Sequence, residues 1–176
     1  MKTLPLALCA LVAAGSTAIA ADAPATRQVA LKTGAGADAG LALVTEAPNG
    51  VLLKVQAKGL TPGWHGLHFH ETGDCSKADF TTAGAHVHAK ATMVHGLLNP
   101  DGNEAGDLPN LYVAADGTAN AEIFSPYVSI AGVTGRPALA DADGSALVIH
   151  ANPDDHRAQP IGGAGPRVAC GAIAGG

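Results

Sequence analysis

Aromatic residues are scarce in this chain and charge is thin: aromatics make up 3% of it and charged residues 14%. Few aromatics weaken any stacking-based recognition of bases or sugars. The charge balance is mildly acidic, −5 at neutral pH, which disfavours a nucleic-acid or anionic-membrane partner. An anionic substrate stays open, provided a local positive patch receives it. No long amphipathic helix is legible, although Ala and Leu are abundant. There is no internal repeat. The glycine-rich run 34–40 does not match a nucleotide-binding fingerprint and opens no helix, so it reads as a flexible turn.

Cysteine is sparse too, with three in the chain. Residues 1–20 read as an export signal: Lys2 gives a small basic start, residues 4–12 are apolar, and Ala18-Ile19-Ala20 has the small-x-small pattern of a signal-peptidase site. The apolar stretch is too short for a membrane span. Cys9 makes a poor lipoprotein acceptor, because Leu8 stands where a small residue belongs. Removing the signal removes Cys9 and leaves Cys75 and Cys170. In an exported chain two cysteines read as one disulfide, the alternative being two free thiols. Such a bridge closes a loop of about 95 residues, worth at most roughly 5 kcal/mol in chain entropy.

After a loose leader at 21–26, residues 27–176 read as one domain of ordinary size. Its body is a series of short strands broken by Gly, Pro, Asn and Asp. The expected strands are 28–31, 41–45, 51–58, 64–71, 111–115, 119–125, 146–150 and 167–173. Asn49-Gly50 and Asp116-Gly117 are hairpin-turn signals. Eight short strands with regular turns predict an all-β sandwich or barrel. Two long segments break the regularity, 72–110 and 152–166. Each adjoins a histidine-bearing strand, and long irregular loops in a compact domain are usually functional.

The chain carries eight histidines, most of them grouped. His68 and His70 lie one residue apart in Gly63-Trp64-His65-Gly66-Leu67-His68-Phe69-His70-Glu71. Strand side chains alternate faces, so these two rings point one way while Leu67 and Phe69 point the other. That is a preformed pair of metal ligands. His86-Val87-His88 repeats the spacing, His95 follows, and His150 ends another apolar run. Imidazole suits copper and zinc, and divalent copper heads the affinity order.

These segments, taken with Ala83-Gly84-Ala85-His86, His95-Gly96, Gly106-Asp107-Leu108-Pro109-Asn110, Leu147-Val148-Ile149-His150 and Gly165-Pro166-Arg167-Val168-Ala169-Cys170-Gly171, give the chain its likeness. It resembles the bacterial, exported copper–zinc superoxide dismutases over nearly the whole mature chain. Each segment is weak alone; their joint order is specific. The resemblance implies an eight-stranded Greek-key β-barrel in the periplasm. It implies dismutation of superoxide to dioxygen and hydrogen peroxide by a redox-cycling copper beside a zinc site. By position it assigns His68, His70, His86 and His150 to copper, with His86 bridging to zinc and carrying a proton in turnover. It assigns His95 and Asp107 to zinc. Asp154 matches a carboxylate tying a copper histidine to a zinc histidine. Arg167 matches the arginine that holds the anion near copper, Cys75 and Cys170 match the family disulfide, and His65 matches a structural histidine facing away from His68 and His70.

One departure stands out. Where the family has a third zinc histidine, three residues before the zinc aspartate, this chain has Glu104. A carboxylate oxygen reaches zinc at about 2.0–2.2 Å, so Glu104 is the expected replacement. The alternatives are that His88 fills the position or that zinc is absent. Glu71, Asp74, Asp141 and Asp143 read as loop or rim charges, Trp64 as packing at a strand entry, His156 as a solvated loop residue, and Lys77 and Lys90 as a solvated face. Two rival readings are a non-catalytic periplasmic copper buffer on the same barrel and a domain that has lost its metals. Arg167 argues against the first and the full histidine set against the second. The sequence leaves the oligomeric state open, a homodimer included.

Overall fold

The computed structural model describes residues 23–133 and 135–175. The expected export segment 1–20, with Cys9, and the first residues of the leader lie outside the described residues. The end of the leader is not loose. The Glu46 amide donates to the Ala25 carbonyl at 2.8 Å, and Thr26 already pairs with Thr45.

The described residues hold nine strands: β1 (Thr26–Thr33), β2 (Asp38–Ala47), β3 (Gly50–Ala57), β4 (Gly63–His65), β5 (Leu67–His70), β6 (Leu111–Val113), β7 (Ala119–Ser125), β8 (Ser145–His150) and β9 (Arg167–Ile173). A single 3₁₀ turn, Thr81–Ala83, is the one helical element among the described residues. Every strand ladder is antiparallel. Seven strands form one sheet in the order β5-β8-β9-β1-β2-β3-β7, and β4 pairs with β6. The sheet's two outer strands run straight into that pair, since β4 precedes β5 and β6 precedes β7. The β4–β6 pair therefore closes the sheet on itself, which yields the expected all-β Greek-key barrel and leaves few free edges.

The expected strand 64–71 is two strands, not one. At Gly66 the chain leaves β6 and joins β8. The Gly66 amide donates to the Asn152 carbonyl and its carbonyl accepts from the His150 amide, both at 2.8 Å. A Cβ at this position would stand 2.8 Å from the Ala164 Cβ, so only glycine allows the crossover. The first hairpin is also displaced by one residue from the turn signal. Ala47 pairs with Gly50, so Pro48 and Asn49 form the loop and Gly50 opens β3.

Period-two alternation builds the core. Val29 and Leu31, Val44, Leu53 and Val55, Leu67 and Phe69, Leu111 and Val113, Leu147 and Ile149, and Ile173 meet inside the barrel. Strand β8 breaks the alternation, because all six of its residues are buried. Its outward residues Ala146 and Val148 are covered by Phe80 and Ala83 from the 72–110 loop, together with Cys170 and Cys75. The Cys75–Cys170 disulfide pins that cover to β9. The loop is further held to β5 by bridges at His70–His86 and His68–Asp107.

Candidate metal centre

Strand β5 presents His68 and His70 together, and its neighbour β8 ends in His150. The bridge between His70 and His86 brings the loop histidine alongside. Nitrogens of His68, His70, His86 and His150 lie within 4.8 Å of one another, all on buried residues. Backbone carbonyls fix which nitrogen each ring offers. His70 donates from Nδ1 to the Gly84 carbonyl at 2.9 Å, and His150 from Nδ1 to the Gly165 carbonyl at 3.0 Å. Their Nε2 atoms then face each other at 3.4 Å. His68 Nδ1 and His86 Nε2 are buried with no hydrogen-bond partner. A buried nitrogen without a partner is costly unless something binds it. Burial holds His68 at about 4 and His150 at about 3, and pushes His70 well below the ordinary range. These rings are neutral near pH 7, as metal ligands must be. The four nitrogens fit a copper ion.

On the other side of His86 a second group converges. His86 Nδ1 lies 2.8 Å from Glu104 Oε2 and 2.9 Å from Asp107 Oδ1. His95 Nδ1 lies 3.1 Å from the same Glu104 oxygen and 3.0 Å from the same Asp107 oxygen. Two ring nitrogens facing two carboxylate oxygens need a positive species among them, either protons on the rings or one cation shared by all four atoms. Against the pull of burial, hydrogen bonds to Asp107, Asp154 and Glu104 raise His95 to about 11. His86 is raised likewise by Asp107 and Glu104, again against burial. The nitrogen–oxygen contacts are a few tenths of an ångström shorter than the roughly 3.3–3.6 Å edges of a tetrahedron with zinc–ligand bonds of about 2.0–2.2 Å. The donor set fits zinc. His88 does not join it. Its Nδ1 bonds the His86 carbonyl at 3.0 Å and lies 3.6 Å from Glu71 Oε2.

Asp154 joins the two groups. Its Oδ2 accepts from His68 Nε2 at 2.9 Å and its Oδ1 from His95 Nε2 at 3.0 Å. Since Asp154 takes Nε2, His68 has only Nδ1 to offer. Although burial opposes it, the two rings hold the Asp154 carboxyl well below the usual carboxylate range. Asn110 fixes the Asp154 backbone from both sides at 2.8 Å. His156 was expected in solvent; it is half-buried behind Asp154, with φ 58°. That left-handed turn lets its amide donate to Asp154 Oδ1 at 2.6 Å. Gln159 holds His95 by its amide and its carbonyl, each at 2.9 Å.

Two openings reach the site. A cavity of about 300 Å³ is lined by His150, Arg167, Thr81 and Ile161. Arg167 is fastened there by the carbonyls of Phe80 and of Gly84, the latter at 2.6 Å. A separate cleft of about 420 Å³ ends on Glu104 and Asp107, with Lys90 and Arg136 in its walls. Of the remaining side chains, His65 is a structural anchor, its ring nitrogens 2.6 Å and 2.8 Å from the carbonyls of His150 and Thr61. Trp64 does not pack inward. It is 56% exposed and lies against Tyr112 with ring centroids 4.9 Å apart. Lys77 and Lys90 are exposed, as expected. Gln159 and the Gly84 and Gly165 carbonyls carried no sequence signal, since backbone groups and a lone loop amide leave no pattern.

Comparison with known proteins agrees with this geometry. Residues 39–173 match the family model described as copper/zinc superoxide dismutase. A superoxide dismutase [Cu-Zn] from Caulobacter vibrioides is 69% identical over 81% of this chain and 82% of its own length. Among solved structures, a SOD-like protein from Bacillus subtilis superposes with a TM-score of 0.77 at 35% identity, covering 84% of this chain and 97% of that one. The Cu/Zn superoxide dismutase from Brucella abortus gives 0.68 at 31% identity, covering 85% and 99%. A barrel that gathers two adjoining sets of buried donors on either side of His86, and that matches this family over most of its length, leaves one assignment: the chain belongs to the copper/zinc superoxide dismutase family.

Proposed function

We propose that this chain disproportionates superoxide, two superoxide anions and two protons giving dioxygen and hydrogen peroxide. His68, His70, His86 and His150 hold copper, and His86, His95, Asp107 and Glu104 hold zinc. Bound copper supplies the one-electron redox chemistry, and bound zinc a fixed positive charge beyond His86. The observation that carries this reading is the His86 ring, with Nδ1 among two carboxylates and Nε2 buried without a partner on the histidine side. Such a ring takes and returns a proton at Nε2 without leaving its place. Arg167, fixed by two carbonyls beside the cavity, orients the anion. The N-terminal export pattern and the Cys75–Cys170 disulfide support a periplasmic location.

The test uses protein loaded with both metals. It should consume superoxide, and Arg167→Ala should slow it while copper stays bound. Added salt should slow the native protein more than the variant, since screening weakens attraction of the anion; an equal response would sink the role of Arg167. Zinc content should fall in Glu104→Ala and hold in His88→Ala, and the reverse result would exchange their roles.

A further inference from the structure

We infer that Glu71 is a positioning residue for the copper end of the site, acting through the peptide units of Gly84 and Ala85. The inference rests on the reading of His70 and Arg167 given above. Glu71 follows His70 directly and is half-exposed, so by charge alone it passes for a rim residue. Its contacts say more. Its amide donates to the Ala85 carbonyl at 2.9 Å, and its Oε1 accepts from the Ala85 amide at 3.0 Å. Both polar groups of Ala85 are thereby held by one residue. The side chain lies over Gly84, where a Cβ would come within 2.6 Å of Oε1. The Gly84 carbonyl is the acceptor shared by His70 Nδ1 at 2.9 Å and Arg167 Nη2 at 2.6 Å. Next after Ala85 comes His86. One carboxylate therefore fixes the peptide that sets a copper histidine's tautomer, the arginine's reach and the approach of the shared ring.

Charge and positioning make opposite predictions. A bare negative charge near the cavity slows an incoming anion, so removing it would speed the reaction at low salt. A positioning carboxylate slows the reaction when lost. Glu71→Gln removes the charge and keeps an oxygen for the Ala85 amide; Glu71→Ala removes both; Glu71→Asp keeps the charge and withdraws the oxygen. The measurements are superoxide consumption per bound copper, the copper(II) electron paramagnetic resonance spectrum, and hydrogen exchange of the Ala85 amide. Glu71→Ala and Glu71→Asp should lose about tenfold in rate, the scale of losses from groups behind metal ligands. They should also shift the spectrum and speed Ala85 exchange. Glu71→Gln should match the native spectrum and exchange, with an undiminished rate. If Glu71→Ala does not fold, Glu71→Asp against Glu71→Gln carries the comparison. Glu71→Ala and Glu71→Gln both faster than native, with native spectra and Glu71→Asp unchanged, would overturn the inference, as would a Glu71→Gln as impaired as Glu71→Ala. Native protein that binds copper without consuming superoxide would refute the site reading itself, and the spectra and exchange rates would still judge Glu71.

Discussion

Asp154 has both oxygens committed to rings from different metal groups. Replacing it by Asn keeps the size and removes one acceptor, so at least one ring loses its orientation. Asp154→Asn is expected to weaken binding of at least one of the two metals by roughly 10–100-fold while leaving the strand content intact. Chelator competition for each metal, beside far-ultraviolet circular dichroism, measures this. At this scale the sequence was legible wherever spacing alone decides direction. Strand alternation puts His68 and His70 on one face, and they are so placed. Asp154 was legible only through the family likeness, because a loop residue 86 positions from its partner leaves no local pattern. The inward turn of His156 is not legible, because it depends on a left-handed backbone that nothing in the flanking residues announces. Glu71 is the loop charge expected of it, and its hold on the Ala85 amide has no sequence signal because what it holds is backbone, which every sequence contains.

The 72–110 loop and strand β8 depend on each other. The loop buries the outer face of β8, and the disulfide fastens the loop to β9. Reducing Cys75–Cys170, which spans 95 residues of chain, should cost at most about 5 kcal/mol of stability. It should also raise hydrogen exchange in residues 72–85 before the rest of the barrel. Two alkylatable thiols in the native protein would refute the bridge. Gly106 holds the far end of the same loop. Its carbonyl accepts from the Phe69 amide and its amide donates to the Val87 carbonyl, and a Cβ there would lie 2.2 Å from the Phe69 carbonyl oxygen. Gly106→Ala should therefore destabilise the fold by about 1–3 kcal/mol, read by thermal unfolding, and should release zinc faster because Asp107 is the next residue. Most strands were legible from alternation and turn residues. The split at Gly66 was not, because alternation continues on both sides and only the change of partner, a tertiary event, divides the run.

Across the whole molecule the copper donors come from β5, β8 and the 72–110 loop, so binding copper ties together parts distant in sequence, while the zinc donors share that loop and are joined to β5 through Asp154 of the other long loop. The folded chain presents these donors as a set and the unfolded chain does not. Ligands that bind only the native state at about a thousand times their dissociation constant stabilise it by roughly 4 kcal/mol. For a domain of this size that is roughly 8–16 °C in melting temperature. Calorimetry of loaded and chelator-stripped protein should show a difference on that scale, and equal melting temperatures would contradict the shared donor set. His86 and Asp154 have a further consequence, because each belongs to both groups. Whatever factor zinc applies to copper affinity, copper must apply to zinc affinity, since free energy around a closed cycle sums to zero. The four dissociation constants of this protein are therefore three independent quantities, and the order in which the metals arrive leaves no trace in the final state.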